Sequence, residues 1–205
     1  MKTIAVALIS SALVIAAATL EAKPVISQAA PAFTLTDSNG KSHSLADFKG
    51  KTVVLEWTNA ECPFVVKHYG SGNMQKQQAA ATADGVVWLT INSGAPGKQG
   101  HVDGAGANAI IALKGGKQTA YLLDSDGKVG RSYLAKTTPH MYVIDGGGTL
   151  RYMGAIDSTP SPDQSDIPNS TQDVSQALAE LKAGEPVGVA ITQPYGCSVK
   201  YANSM

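Results

Sequence analysis

The sequence predicts an α/β domain: a central mixed β-sheet covered by helices on both faces, with a β-hairpin extension at its N-terminal end. Three observations predict it. Thr52–Trp57 (TVVLEW) and Val86–Asn92 (VVWLTIN) are rich in β-formers and read as buried central strands. Helical segments closed by glycines separate the strands, so the two element types alternate. A hairpin and a last helix then close the unit.

Taken in order, residues 1–22 read as a targeting signal. Lys2 supplies the positive end, Ile4–Ala18 is almost unbroken apolar sequence, and Ala16–Ala18 or Ala22 offer cleavage sites. The stretch is shorter than the roughly 20 apolar residues a membrane span needs. It holds no cysteine for lipid attachment. The expectation is export, to a periplasm or beyond, as a protein free of the membrane once the signal is cut; an uncleaved anchor is the alternative. Residues 23–30 read as a linker and 31–205 as one domain with a C-terminal extension carrying Cys197. Phe33–Leu35 and His43–Leu45 flank Asp37-Ser38-Asn39-Gly40, a hairpin-turn signal. Asp47–Gly50 reads as a turn before the strand Thr52–Trp57. A helix opens at Cys62 and runs to about Tyr69, where Gly70-Ser71-Gly72 interrupts it. Asn73 is placed to cap a second piece, Met74–Ala83, ended by Gly85. Ser93–Gly106 reads as loop, Ala107–Leu113 as a short helix, Ala120–Leu123 as a strand and Val129–Leu134 as a small helix. Met141–Ile144 and Leu150–Met153 form the hairpin across Asp145–Gly148. Thr159–Asn169, with three prolines, reads as extended loop; Ser170 or Thr171 is expected to cap a helix ending at Ala183. The tail Val189–Tyr201 reads as partly extended.

Sixteen basic and sixteen acidic residues leave no net charge, which argues against a nucleic-acid partner. Two cysteines, Cys62 and Cys197, are too few for a disulfide-stapled scaffold. They form either one structural bridge or a working pair.

Cys62 carries the chemistry. In KTVVLEWTNAECPFVV it stands where a strand feeds a helix, and Pro63 fits the first helical position. A sulfur there faces unpaired backbone N–H groups and the positive end of the helix dipole, both of which favour the nucleophilic thiolate.

These residues resemble the thioredoxin superfamily, in its redoxin branch of alkyl-hydroperoxide-reductase and thiol-specific-antioxidant (AhpC/TSA) peroxiredoxin-like proteins. PAFTLTDSNGKSHSLADFKGKTVVLEW looks like the opening of such a domain, VVLEWTNAECPFV like the thioredoxin active-site segment, and KTTPHMYVIDGGGTLRYMG like the later Thr-Pro element. The resemblance implies a thioredoxin-like fold with Cys62 as the nucleophile of a CxxC motif. It implies Glu56 as the buried acid that relays a proton, and Thr138-Pro139 as the cis-proline loop, whose backbone pairs with substrate like an added strand. Pro63 and Asn59 join Thr138 and Pro139 as expected substrate-binding residues. The departures are specific. Val65 replaces the second CxxC cysteine. In the peroxiredoxin pattern PxxxTxxC, Asn59 holds the threonine slot and Leu55 the proline slot. Arg131 and Arg151 lie far along the chain. The closest likeness is to a peroxiredoxin-like group with a second cysteine in a C-terminal Gly-Cys segment, here Gly196-Cys197.

The expected function is an exported thiol-dependent redox protein. It acts in thiol–disulfide exchange or peroxide reduction through Cys62, with Cys197 resolving the intermediate and an outside thiol donor resetting the pair, and needs no cofactor. A non-catalytic binding protein with a structural Cys62–Cys197 bridge is the alternative. A copper carrier using His68 or His140 ranks below it, because only one cysteine is near in sequence; otherwise His68 reads as helix surface and His140 as strand edge. Asp124-Ser125-Asp126-Gly127 lacks the acidic residue that would complete a calcium loop and reads as a turn.

Overall fold

A computed structural model describes residues 23–202, so the expected signal, residues 1–22, lies outside the described residues. The strands are β1 (Thr34–Asp37), β2 (Ser42–Ser44), β3 (Val53–Trp57), β4 (Val87–Asn92), β5 (Ala120–Leu123), β6 (Thr137–Thr138), β7 (His140–Ile144), β8 (Leu150–Gly154) and β9 (Cys197–Ser198). The helices are α1 (Pro63–Gly70), α2 (Asn73–Ala83), α3 (Gly104–Lys114), α4 (Lys128–Ser132) and α5 (Asp173–Lys182). Seven strands form one mixed sheet in the order β2-β1-β5-β4-β3-β7-β8. The pairs β3–β4 and β4–β5 are parallel, while β3–β7, β7–β8, β1–β2 and β1–β5 are antiparallel.

Residue alternation along the central strands divides the core in two. Val53, Leu55 and Trp57 of β3 face one cluster, shared with Phe33, Val129 and Tyr133. Val54 faces the other, with Trp88, Met74, Val174 and Ala177 beneath α2 and α5. Helices therefore cover both faces, as expected. Trp57, wholly buried, packs on Tyr133 and Tyr142 at centroid distances of 5.3 and 5.1 Å and donates its indole N–H to Ser93. That cluster sits directly under the strand end that leads to Cys62.

Several local expectations change. Residues 23–30 are not a free linker: Ser27 N–H donates to Leu150 O, Ala30 N–H to Gly148 O, and Ile26 and Ala30 pack on the core. This stretch covers the edge of β8, whose backbone groups need partners. Leu45–Phe48 is a 3-10 turn capped by a Ser44/Asp47 capping box. The cap of α2 is Gly72, at φ 78°, not Asn73, whose amide instead reaches His68 and Gln172. Helix α3 starts at Gly104 because Asp103 caps it through Gly106 N–H. Gln164–Asn169 forms a 3-10 turn within the expected loop, and the residue before α5 is Gln172, not Ser170 or Thr171. The tail closes on the molecule through β9, paired antiparallel with β6: Thr138 opposite Cys197, Thr137 opposite Ser198.

Candidate active site

The site forms where β3 ends. Cys62 is the N-cap of α1, with extended backbone (φ −73°, ψ 124°), and Pro63 begins the helix. Its N–H donates to Asn59 O, closing the turn, and its carbonyl accepts from Val66 N–H. The sulfur makes no full capping hydrogen bond to the first turn. It faces the loop of Thr138 and Pro139, joined by a cis peptide bond. The Cys62 thiol donates to Thr138 O at 3.0 Å, and the Cys197 N–H donates to Cys62 Sγ at 3.4 Å. Both thiols are free; Cys62 is fully buried and Cys197 half-buried.

The electrostatics separate the two sulfurs. Burial pushes the Cys62 thiol up. Hydrogen bonds from the side chains of Cys197 and Thr138 and the backbone N–H groups of Val65 and Cys197 outweigh it, holding Cys62 below the ordinary thiol value. Burial, then the hydrogen bond to Cys62 and its charge, push Cys197 up to about 11. One sulfur is therefore favoured as thiolate and its neighbour as thiol, so a proton-donating partner stands beside the nucleophile.

The other expected residues fall as follows. Thr138 is buried; its carbonyl meets Cys62, and its hydroxyl donates to Cys197 O at 3.4 Å. Asn59 is buried, but its side chain is already used: Oδ1 accepts from Glu61 N–H and Nδ2 donates to Gln99. It crowds Gly100, where an added Cβ would lie 2.1 Å from Asn59 Oδ1. Glu56 is fully buried and accepts from Tyr69 and Gln78 on the helices and from Trp88 and Thr90 on β4. Burial raises its carboxyl above the usual range despite these donors. None of these four groups is hydrogen-bonded to Cys62, and through them Glu56 ties α1 and α2 to the sheet. Arg151 pairs with Asp145 at 2.6 Å, and Arg131 binds Ala202 O and lies over Tyr201. Neither guanidinium reaches the Cys62 sulfur.

Sequence reasoning missed a buried polar cluster beside Cys62. Lys67 and His68 of α1 are buried, not on the helix surface, and so is Asp157. Lys67 Nζ lies 3.5 Å from Asp157 Oδ2 and donates to Thr159 O at 3.0 Å. Asn73 Nδ2 donates to His68 Nδ1 at 2.9 Å, which leaves Nε2–H facing Tyr195 Oη at 3.1 Å; Tyr195 in turn donates to Asp157 Oδ1. Burial lowers His68 to about 4, so the imidazole is neutral, as that pattern of donors requires. The spacing Val65–His68, one helical turn, was a legible hint that His68 faces inward; nothing local foretold a buried lysine. His140 is also buried rather than at an edge, accepting at Nδ1 from Lys136 N–H. Both histidines are thus engaged away from Cys62. Among the described residues no group of three or more His, Cys, Asp or Glu side chains is placed to hold a metal ion.

The fold has relatives of known structure. The chain is similar to a hypothetical protein from Sinorhizobium meliloti (24% identity, TM-score 0.78, covering 88% of this chain and 96% of that one). It is similar to an uncharacterized conserved protein from Geobacillus kaustophilus (25% identity, TM-score 0.77, covering 88% and 94%). It is similar, more distantly, to the thioredoxin domain of a thiol-disulfide oxidoreductase from Bacteroides vulgatus (21% identity, TM-score 0.51, covering 71% and 96%). No curated protein matches the sequence. Among the described residues no helix is long and apolar enough to cross a membrane. The AhpC/TSA family matches residues 26–153, well over half the chain and including β3, Cys62 and the Thr138-Pro139 loop, so this protein belongs to the AhpC/TSA family, on a thioredoxin-like fold.

Proposed function

We propose that the protein is an exported thiol–disulfide oxidoreductase whose working couple is Cys62 and Cys197. One observation carries this reading: a cysteine-bearing strand, the protein's own tail, is paired on Thr137–Thr138 with Cys197 against the Cys62 sulfur. The edge beside the nucleophile thus has the geometry to present a peptide sulfur. In the oxidative half, the Cys62 thiolate attacks one sulfur of a disulfide, forms a mixed disulfide and expels a thiolate. Cys197 then attacks Cys62 sulfur, its proton leaving with the second departing thiol, and the intramolecular disulfide remains. Two electrons pass from the pair to the substrate, and an external thiol donor restores the dithiol.

Disulfide exchange is favoured over peroxide reduction because no arginine stands at the sulfur and a carbonyl oxygen faces it. A peroxide's leaving oxygen needs positively polarised donors instead. The test is a redox titration of the full mature chain against glutathione, with both cysteines mapped by mass spectrometry. A reversible Cys62–Cys197 disulfide with a potential above about −300 mV supports exchange. A lower potential, with the fold lost on reduction, makes the bridge structural. Rapid oxidation by hydrogen peroxide, without reaction toward small disulfides, makes the protein a peroxidase.

A further inference from the structure

The tail that covers Cys62 is held at a second point, two residues before Cys197. Tyr195 packs edge-on against Phe64 at a centroid distance of 5.7 Å, and Lys67 Nζ lies 5.8 Å from the centre of its ring. Its hydroxyl donates to Asp157 Oδ1 and faces His68 Nε2. All three residues forming this seat on α1, Phe64, Lys67 and His68, lie within six positions of Cys62. Asp157 Oδ2 is buried without a hydrogen-bond donor; Lys67 Nζ lies 3.5 Å from it and His68 Nε2 3.9 Å. A carboxylate buried this way depends on its remaining partners, and Tyr195 is one of them. The tail also occupies the backbone edge at Thr138 that an incoming strand must use.

We propose that Tyr195 is a latch: seated on Asp157 and His68, it holds Cys197 against Cys62 and closes the Thr138 edge, and unseated, it frees both for an external cysteine-bearing strand. This rests on the exchange reading above. Tyr195, Asp157 and His68 are accordingly positioning residues that act through Cys197. The seat also defines a preference in the partner. A strand replacing the tail in the same register presents its residue two before the cysteine to Phe64, Lys67 and Asp157, so a tyrosine there fits best.

The step that reads the latch is resolution. Oxidised glutathione reacts at Cys62 to give the mixed disulfide and one reduced glutathione; Cys197 then displaces the second, leaving the intramolecular disulfide. Holding Cys197 in place raises its effective concentration at Cys62. In Tyr195→Phe the ring is kept and the hydroxyl lost. The ratio of intramolecular to mixed disulfide at equilibrium should fall about ten- to a hundredfold, the scale of one hydrogen bond to a charged group. A Tyr-Gly-Cys peptide supplied as its own symmetric disulfide reacts at Cys62 with release of one peptide thiol, and the resulting mixed disulfide should rise over the same range. Gly196→Ala is the second variant; it unseats the tail from the Thr138 side without touching the buried cluster and should shift both readouts the same way. Urea midpoints of the reduced proteins establish that each variant is folded. A ratio within twofold of wild type in both folded variants overturns the latch. Wild-type protein that forms no disulfide of either kind with glutathione overturns the exchange reading beneath it.

Discussion

The two sulfurs are distinguished by surroundings, not by chemistry. Cys62 is placed at a helix start with backbone and thiol donors around it; Cys197 is half-buried beside a group that carries negative charge when ionised. Much of what holds Cys197 at about 11 comes from Cys62, after burial itself. Once Cys62 is consumed in a mixed disulfide, that charge and hydrogen bond are gone, and the resolving thiol ionises more readily. The order of attack is thereby built into the pair. Replacing Cys62 with alanine imitates the discharged state. In that variant the Cys197 thiol should titrate below about 11, followed by thiolate absorbance; an unchanged midpoint would mean that burial alone sets it. Replacing Cys197 with serine leaves the first attack intact and removes the second. The mixed disulfide at position 62 should then accumulate at least tenfold over wild type during glutathione oxidation, and mass mapping of that residue checks it.

At the scale of elements, the short β6–β9 pairing makes the site, and glycine makes the pairing possible. Gly196 has φ 127°, and a Cβ there would sit 2.1 Å from Thr138 O and 2.9 Å from Thr138 C. These are backbone atoms of the loop that faces Cys62, so they cannot swing aside. Gly196→Ala must lift β9 from β6. We expect the buried Cys62 to become open to alkylation, with labelling faster by an order of magnitude or more while far-UV circular dichroism is unchanged; equal labelling rates would show that the strand still seats. The strand-to-helix cysteine is legible from its apolar run and the proline that follows it, while the cis-proline loop and the Gly-Cys segment are legible only through the resemblance to the thioredoxin superfamily. The sequence does not show the union of tail and loop. Two-residue strands carry no periodicity, and their pairing joins positions about sixty residues apart through tertiary packing. Lys67 was illegible for a related reason. A lysine reads as solvent-facing unless Asp157, ninety positions later, is known to receive it. The cap of α2 went to Gly72 rather than Asn73 because the Asn73 amide has better partners in His68 and Gln172.

Across the whole molecule, burying polar groups ties stability to pH. Burial lowers His68 to about 4 and His140 to about 3, although the nearby Asp157 raises His68 in part. In the unfolded chain both imidazoles return to near 6.5. Between about 6.5 and 4 the unfolded state therefore binds protons that the folded state refuses, and stability falls as pH falls through that window. The buried carboxyls of Glu56 and Asp124 act in the opposite sense. Burial raises both, so the folded state holds protons there that the unfolded chain has released, and this contribution to stability is lost as pH rises. The net slope of a wild-type curve mixes these terms, so a difference between two proteins is the better measurement. His140→Asn offers an oxygen where Nδ1 accepts from Lys136 N–H, and it cannot take up a proton. Urea unfolding at pH 6.5, 5.5 and 4.5 should show wild type losing more stability than the variant across the series. The gap should approach one proton's worth of slope, about 1.4 kcal/mol per pH unit. Parallel curves would show that His140 is protonated inside the fold, and that the cluster of Tyr142 and Trp57 around it admits a charge.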